Sequence, residues 1–277
     1  MSGSGPAAAT VRPSADSVLF VTLDSCRFDT FQRADAPAIK SVGPLREAQA
    51  PCYFTYGSHS AMFVGFLPAA TTAPVPLLNP KYAKLFKLVG VGFPGKGAEG
   101  YTLSGRDIVD GFGRAGFATF GTSGIAWFDP ELPTGQHLTQ SFDRFHYLGG
   151  PHAREHAGWL HEAVASAGER DVFAFLNLGE THVPYHFDGA PWPADDNPCL
   201  PFQVEDRSVE CATRQRACVE FLDDVLAPLL DLFAHATIVV TADHGDCWGE
   251  DGLWEHGIPH PKTLTVPLIM RVRGTPV

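Results

Sequence analysis

The segment formed by residues 237–246 constrains both the fold of this chain and its chemistry. Residues 237–240 are apolar and mostly β-branched, as in a buried strand, and Asp243, His244 and Gly245 follow shortly after them. In α/β proteins, functional side chains gather where the carboxyl ends of the strands meet. Asp and His are also common ligands of transition metals. This segment therefore predicts an α/β fold with a metal site at the carboxyl edge of its sheet.

Two further segments place metal-type ligands in similar positions. The strand-like run 18–23 stops at Asp24, and His256 precedes the strand-like run 266–270. An Asp that follows a strand is often only a turn former or a helix cap. The same arrangement recurs at two strands of this chain, and capping alone explains this less well than a shared metal site does.

Length and composition indicate a single globular domain. The chain has 277 residues, of which 44% are hydrophobic and 18% charged, and no low-complexity linker divides it. Residues 1–16 are rich in Ser, Gly, Pro and Ala and lack the apolar core of a signal peptide. We therefore expect a flexible N-terminal tail at 1–16 and one domain at 17–277.

The charge and the cysteines bear on partners and on cellular location. A formal net charge of −11 without any basic run argues against nucleic acid as a partner. No stretch reaches the roughly 18 apolar residues that span a membrane, so we expect no membrane partner. The six cysteines show no C-x-x-C spacing and no secretory context, which favours a cytoplasmic protein with buried, apolar cysteines.

Strand and helix signals alternate along the chain. Strands are expected at 18–23, 117–121 and 172–178, and around Ile238 and Leu268. Helices are expected from near Arg27, from Ser58, at 106–115, at 153–167 and through 218–233, where Pro228 should bend or divide the helix. Frequent Pro and Gly between 68 and 100 predict long irregular connections. The alternation predicts a mostly parallel sheet with helices on both faces.

Thr55 is a candidate nucleophile because of its place in the chain. It lies just before the helix that we expect to begin near Ser58. Backbone N–H groups and the positive end of the helix dipole favour an anion at such a place, and they lower the cost of forming an alkoxide. Taken alone, a threonine here is more often a turn residue or a helix cap.

Together these segments resemble the alkaline phosphatase superfamily, which includes sulfatases, nucleotide pyrophosphatase/phosphodiesterases and lipid A phosphoethanolamine transferases. Residues 24–29 resemble the D-D-x-R-x-D motif of sulfatases. Thr55 precedes residues 65–68 by the spacing that separates the family nucleophile from its G-x-x-P. Residues 181–185 resemble the sulfatase T-H-x-P-Y, and residues 243–257 resemble the D-H-G…H-G segment of the phosphoethanolamine transferases. The resemblance implies an alkaline-phosphatase-like catalytic domain.

The departures from the sulfatase pattern point to phosphoryl chemistry. Sulfatases convert the Cys or Ser of C/S-x-P-x-R to formylglycine, whereas this chain has Thr55 at that place, with Gly57 and His59 in place of Pro and Arg. Threonine cannot yield the aldehyde. A Thr with a His four residues later is closer to the phosphodiesterase branch. Ser25 replaces the second acid beside Asp24, which leaves a nitrogen-rich ligand set suited to zinc or manganese.

The resemblance implies roles for individual residues. Asp24, Asp243 and His244 would hold a first divalent metal, with zinc preferred and manganese as the alternative, and Thr55 would be the ligand that attacks phosphorus. A coordinated hydroxyl has a lowered pKa, and the same cation neutralises a phosphate oxygen.

The remaining histidines have two alternative roles. His256 and His182, together with His186 or Glu180, would hold a second metal, or they would bind the substrate oxyanion and protonate the leaving group. His182 and His256 are therefore candidate catalytic residues, and His256 is also a candidate ligand. The substrate-binding candidates are His59, His182 and His186.

The function that follows is that of a metal-dependent hydrolase or phosphoryl-group transferase. It would act on a phosphoester within a small anionic substrate, through Thr55 and a covalent phosphothreonine. A sulfoester or phosphonate hydrolase on the same site is one alternative, and a noncatalytic metal-binding scaffold is another. The chain is short for this superfamily, which leaves room for an oligomer in which a second subunit completes the pocket.

Three rival motifs carry less weight. Residues 152–156 spell the H-x-x-E-H of one metalloprotease class, but they directly follow Gly-Gly-Pro and are better explained as a solvated first helical turn. Residues 95–100 spell G-x-G-x-x-G without a clear strand before them or a helix after them, which favours a flexible loop. Residues 121–124 lack the G-x-S-x-G spacing of a serine esterase.

Overall fold

The computed structural model describes residues 12–65, 86–90, 99–103 and 106–277. The expected tail up to residue 11, the G-x-x-P match beyond Gly65 and much of the 68–100 stretch lie outside these ranges. Within that stretch, two segments pair as an antiparallel two-stranded sheet. The expectation of irregular connections alone is therefore wrong for this part of the chain.

Most strands belong to one central sheet. The strands, in chain order, are β1 (Val18–Leu23), β2 (Arg46–Gln49), β3 (Phe86–Gly90), β4 (Glu99–Leu103), β5 (Ala118–Ser123), β6 (Arg144–Tyr147), β7 (Val172–Leu178), β8 (Thr237–Thr241), β9 (Cys247–Trp248), β10 (Trp254–Glu255), β11 (Thr265–Val272) and β12 (Thr275–Pro276). Within the described residues the sheet has eight strands in the order β12-β11-β8-β1-β7-β5-β6, with β2 also paired to β11.

The central strands of the sheet are parallel. β1 pairs in parallel with both β7 and β8, and β5 pairs in parallel with β7 and β6. β11 is antiparallel to β8, β2 and β12. The prediction of a mostly parallel sheet is confirmed, with antiparallel strands added at one side. The carboxyl ends of β1 and β8 therefore lie side by side, and this relation positions the candidate site.

Helices cover both faces of this sheet, as predicted. They are α1 (Phe28–Arg33), α2 (Pro37–Lys40), α3 (Thr55–Val64), α4 (Ile108–Arg114), α5 (Pro133–Thr139), α6 (Ala153–Ala165), α7 (Ser208–Leu232) and α8 (Pro261–Leu264), with short 3-10 helices at Ala126–Phe128 and Glu250–Gly252. Every residue of β7 is buried, which explains why its sequence is continuously apolar and does not alternate. Ala174 packs into the cluster that contains α6 and α7, and Phe175 packs into the cluster on the other face, beside α3.

Helix α3 begins earlier than the sequence suggests. Its first residue is Thr55, so the candidate nucleophile lies in the first turn and not ahead of the helix. Ser58 does not cap the helix, because its hydroxyl donates to the backbone carbonyl of Asp243 at 2.7 Å. This bond ties α3 to the end of β8. The helix ends at Gly65, whose φ of 78° is the left-handed conformation that glycine adopts at helix C-termini.

Helix α7 is not divided at Pro228, contrary to one of the expected outcomes. It runs from Ser208 to Leu232 with Pro228 inside it. Pro228 and Asp224, four residues earlier, are both exposed, so water can solvate the carbonyl that the proline leaves without an N–H partner. Among the described residues, no helix has the length and apolar character needed to cross a membrane.

The residues just before β1 contact the domain. The guanidinium of Arg12 donates to the backbone carbonyl of Asp231 at 2.9 Å, and Arg273 pairs with Asp16. The boundary of the expected tail at residue 16 stays a prediction, since residues 1–11 lie outside the described ranges.

Candidate active site

Three of the predicted ligands meet at the carboxyl ends of β1 and β8. Asp24 directly follows β1, and Asp243 and His244 follow β8, its parallel neighbour. Their side chains offer ligand atoms that lie within 4.8 Å of one another. All three residues are fully buried. The sheet topology thus brings together acids that are far apart in sequence.

The hydrogen bonds of Asp243 test whether this group fits a cation. Its Oδ1 accepts from the backbone N–H of Ser25 at 3.1 Å and from that of His244 at 3.0 Å. Its Oδ2 is buried and has no hydrogen-bond partner. A buried carboxylate oxygen without a partner is costly unless a positive charge or a donor satisfies it. A divalent cation beside Oδ2 would satisfy it, so the residues present fit a metal.

The ionisation of the three groups agrees with this fit. Burial, and then the charge of Asp243, raise the pKa of Asp24, and burial raises the pKa of Asp243. Burial, and then the nearby His256, lower the pKa of His244 to about 3. His244 is therefore a neutral imidazole, which is the form that binds metals. Burial disfavours the ionised forms of both carboxyls, and a dication beside them would favour those forms again.

Thr55 contacts two of these ligands. Its Oγ1 lies 3.3 Å from Nε2 of His244 and 3.4 Å from Oδ2 of Asp24. The residue is buried and stands at the first position of α3, where no side chain caps the helix. An oxygen in this place is near the positive end of the helix dipole and can donate its proton to the Asp24 carboxylate. The hydroxyl oxygen of Thr55 therefore lies between two of the candidate ligands at the start of α3.

A second group of possible ligands shares His244 with the first. His244, Asp246 and His256 offer ligand atoms within 4.8 Å of one another. The rings of His244 and His256 are 4.5 Å apart between centroids, and the ring of His182 is 5.0 Å from that of His256. Three of the predicted histidines therefore lie side by side. Asp246 was not among the predicted ligands, although it directly follows D-H-G in the sequence.

Asp246 joins His256 to a buried tyrosine. Its Oδ1 lies 2.8 Å from Nδ1 of His256, and its Oδ2 accepts from the hydroxyl of Tyr185 at 2.8 Å. Nε1 of Trp248 donates to the same tyrosine oxygen at 2.7 Å. Burial by itself would lower the pKa of His256, but the bond to Asp246 and its charge raise that pKa to about 9. The carboxylate thus fixes the ring and favours its charged form.

His59 belongs to α3, and its Nδ1 lies 3.7 Å from Oδ2 of Asp243. It is fully buried, its Nδ1 is 2.8 Å from the backbone oxygen of Thr55, and its Nε2 is 3.1 Å from Oγ1 of Thr22. Aromatic rings surround it, with the ring of Phe128 centred 4.9 Å away. Both ring nitrogens are engaged by the protein, so this position supports the start of α3 and does not offer a free nitrogen to a substrate.

The other predicted positions are more peripheral. His182 is half-buried, with Nδ1 2.8 Å from the backbone oxygen of Val183. His186 is half-buried and belongs to neither ligand group. Glu180 also stands outside both groups, because its Oε1 accepts the backbone N–H of Ala153 at 2.7 Å, at the start of α6. Burial raises the pKa of Glu180 to about 7.

The H-x-x-E-H segment does not form a metal site in the described part of the chain. His156 is buried, and its Nδ1 lies 2.6 Å from Oγ1 of Thr122. His152 and Glu155 are exposed, and none of the three belongs to a group of possible ligands. The interpretation as a solvated turn is correct for two of these residues and wrong for His156, because the helix places that ring against β5.

The segment that carries Asp246 and His256 is held at both ends. The backbone N–H of Gly245 donates to the carbonyl of Thr263 at 2.8 Å. A Cβ on Gly245 would lie 2.3 Å from the carbonyl oxygen of Lys262, so only glycine fits between the ligands here. Arg27 lies over the ring of Trp248 and donates to Glu250 at 2.8 Å, which braces the same segment from inside.

Comparison with known proteins agrees with this architecture. No protein-family model matches the chain, and no curated protein matches it in sequence. The C-terminal periplasmic domain of the phosphoethanolamine transferase EptC from Campylobacter jejuni superposes with a TM-score of 0.60 and 13% identity, over 93% of this chain and 79% of that one. The corresponding domain of EcEptC from Escherichia coli, in complex with Zn, gives a TM-score of 0.61 and 12% identity, over 95% and 74%.

A third neighbour is described by its superfamily. It is a protein in the alkaline phosphatase superfamily from Vibrio parahaemolyticus, with a TM-score of 0.56 and 15% identity, over 97% of this chain and 63% of that one.

The expectation of a cytoplasmic protein is contradicted, because the EptC neighbours are periplasmic domains. The six cysteines are all buried, and buried thiols pack as small apolar side chains in any compartment, so their pattern did not locate the protein. The chain has the fold of the alkaline phosphatase superfamily.

Proposed function

We propose that this protein is a metal-dependent phosphoester hydrolase or phosphoryl-group transferase that uses Thr55 as its nucleophile. The observation that carries the proposal is the position of Thr55 Oγ1, in contact with both Asp24 and His244 at the start of α3. A hydroxyl buried among acidic and imidazole groups at a helix N-terminus is set for nucleophilic attack. The phosphoethanolamine transferases among the structural neighbours support phosphoryl chemistry.

Asp24, Asp243 and His244 would hold one divalent cation, with zinc preferred and manganese as the alternative. The Zn complex of the EcEptC domain supports zinc. When bound, such an ion lowers the pKa of a neighbouring hydroxyl and neutralises a phosphate oxygen. In the alternative arrangement, in which His256 is a metal ligand and not a proton donor, His244, Asp246 and His256 would hold a second ion.

The residues of the chain account for each transfer of a proton and of the phosphoryl group. Thr55 gives its proton to the Asp24 carboxylate, and its oxygen bonds to phosphorus as the bond to the leaving group breaks. His256, held through Nδ1 by Asp246, gives a proton from Nε2 to the departing oxygen. Water or an acceptor alcohol then loses a proton to His256 and bonds to phosphorus, while the bond from phosphorus to Thr55 breaks and the threonine oxygen takes its proton back from Asp24. His182 lies beside His256 and would bind the phosphoryl oxygens.

A preference for phosphate over sulfate esters follows from the unmodified threonine. Formylglycine expels sulfate through its geminal hydroxyl, which Thr55 does not have. A sulfated Thr55 would have to be cleaved by external water, whereas a phosphothreonine can be attacked from the opposite face. A sulfoester or phosphonate hydrolase is the second candidate on this site, and a noncatalytic metal-binding scaffold is the third.

The test compares matched aryl phosphate, phosphodiester, phosphonate and sulfate esters on zinc- and manganese-saturated protein, with Thr55→Ala as the control for background activity. We expect the highest kcat/KM for a phosphoester and a phosphorylated Thr55 peptide after rapid acid quench. A higher kcat/KM for sulfate, or a sulfated Thr55 that turns over, would overturn the phosphoryl assignment. Turnover of none of the four esters by metal-loaded protein would favour the scaffold.

A further inference from the structure

A buried glutamine of α7 connects the two loops that surround Asp24. Gln215 is fully buried, and its side chain makes three hydrogen bonds to backbone groups. Its Oε1 accepts the N–H of Arg27 at 3.2 Å, and its Nε2 donates to the carbonyls of Ser25 at 2.8 Å and Thr181 at 3.0 Å. One side chain thus holds the turn after β1 and the loop after β7.

The turn after β1 needs such support. Ser25 has a φ of 61°, a left-handed conformation that is strained for a residue with a Cβ. In this conformation the N–H of Ser25 points at Oδ1 of Asp243, 3.1 Å away. The loop after β7 adds a second bond, because Oγ1 of Thr181 donates to the Asp24 carbonyl at 2.7 Å. The direction of the Asp24 carboxylate therefore depends on a turn that is itself held from α7.

We infer that Gln215 is a positioning residue for the ligand pair Asp24 and Asp243, and that it sets the metal affinity of the site without contacting a ligand side chain. The inference rests on the proposed function, since it assigns a role toward the same cation. Side chains that orient metal ligands typically change affinity by roughly 10- to 100-fold when removed. We expect an effect of this size for Gln215.

The amide is matched to its partners in number and kind. The amide oxygen of Gln215 accepts one N–H, and its two amide hydrogens are donated to two carbonyls. Every polar group in this contact therefore has a hydrogen-bond partner. Methionine at 215 would keep the approximate length of the side chain but satisfy none of the three groups. Glutamate would still accept from Arg27 but could not donate to Ser25 and Thr181.

A purely structural role for Gln215 is the alternative, and α7 contains a matched control. Asp223 is also buried on this helix and accepts backbone N–H groups, from Ile39 at 2.7 Å and Ala38 at 3.0 Å. These amides belong to α2, which carries no candidate ligand. Replacing either residue removes buried hydrogen bonds between α7 and a loop or helix that packs on it. Of the two residues, Gln215 is the one that bonds to the segments around Asp24.

The experiment measures zinc and manganese dissociation constants by competition with a chromophoric chelator, and the melting temperature of the metal-free protein, for wild type, Gln215→Met and Asp223→Asn. Both variants should melt lower than wild type. Gln215→Met should bind metal about 10- to 100-fold more weakly, and Asp223→Asn should bind it as wild type does. If Gln215→Met does not fold, Gln215→Glu replaces it with the same expected weakening.

The outcomes separate this inference from the proposed function. Wild-type protein that binds neither metal would overturn both. Wild-type binding with unchanged affinity in the Gln215 variant would overturn the positioning role alone. An equal loss of affinity in Asp223→Asn would also overturn it, because it would show that metal binding follows the general stability of α7.

Discussion

Oδ1 of Asp246 lies 2.8 Å from Nδ1 of His256, so a single buried carboxylate sets the direction in which the imidazole presents its other nitrogen. The ring faces His244 at 4.5 Å between centroids. A histidine oriented in this way can serve either as an acid and base or as a metal ligand. Asp246 thus couples the chemistry of His256 to the core around Tyr185.

Asp246→Asn should lower kcat on the preferred phosphoester by roughly 10- to 100-fold, because the amide keeps the shape of the side chain but not the charge that orients His256. Tyr185→Phe is the matched comparison, since it removes one bond to Asp246 and leaves the bond to His256. Its effect on kcat should be smaller. Equal kcat values for Asp246→Asn and wild type at saturating metal would contradict this role.

Thr55→Ala should abolish turnover and leave folding nearly unchanged. The hydroxyl is the proposed nucleophile, but it caps no backbone N–H of α3, and its contacts with Asp24 and His244 are long, at 3.3 to 3.5 Å. Thr55→Ser keeps the hydroxyl and should retain measurable turnover. Steady-state rates and melting temperatures of the three proteins provide the comparison. Wild-type rates in Thr55→Ala would remove Thr55 from the mechanism.

Asp243→Asn should reduce metal content and activity together, since the unpartnered Oδ2 is the oxygen best placed to bind a cation. With metal bound, the variant should melt at a lower temperature than wild type, and without metal this difference should vanish or reverse. A buried carboxylate oxygen without a hydrogen-bond partner is costly, so the neutral amide should melt at or above the temperature of metal-free wild type. Elemental analysis and thermal melts with and without chelator measure both effects. Full metal content in the variant would contradict the ligand role.

The stability of the protein should fall in mild acid, partly because of His156. Burial, and then His146 and His152, lower the pKa of His156 from 6.5 to about 4. Between these values the unfolded chain binds more protons than the folded one. The contribution of His156 to the unfolding free energy is therefore fully present above about pH 6.5, and up to about 3 kcal/mol of it is lost as the pH falls to about 4.

His156→Gln should flatten this dependence. Urea unfolding at several pH values between about 4 and 7.5, with chelator present for both proteins, gives the unfolding free energies. The variant should lose less stability than wild type over this range. The same slope in both proteins would show that His156 is not buried in its neutral form.

Much of the architecture could be predicted because the central strands are short, continuous apolar runs. The predicted limits of β1 and β7 coincide with the observed ones. Once the strands are located, parallel pairing places Asp24 and Asp243 at one edge. The sequence does not predict the direction of the outer strand β11. It is an apolar run like the central strands, yet it pairs antiparallel to β8.

Other features depend on contacts between distant segments, which local patterns do not encode. Ser58 has the residue type of a helix cap, but its hydroxyl bonds to the carbonyl of Asp243, so the true start of α3 was missed. Gln215 appears in sequence only as one polar residue of a long helix, and its partners Ser25 and Arg27 lie near the other end of the chain. His59 is a substrate-binding candidate by sequence, but no local pattern indicates the aromatic rings that enclose it.

The bond between Gly245 and Thr263 brings the two ends of the segment between them together, while Asp246 and Trp248 within it stay packed in the core. Asp246 and His256 both lie within it, whereas Asp24, Asp243 and Thr55 belong to the fixed frame outside. Because the entropy of closing a loop depends only weakly on its length, the segment can be lengthened at its exposed positions, Asp251 and Gly252, while its anchor points stay in place. In the proposed mechanism, the surroundings of the leaving group can therefore change at these positions without altering the frame that holds Thr55.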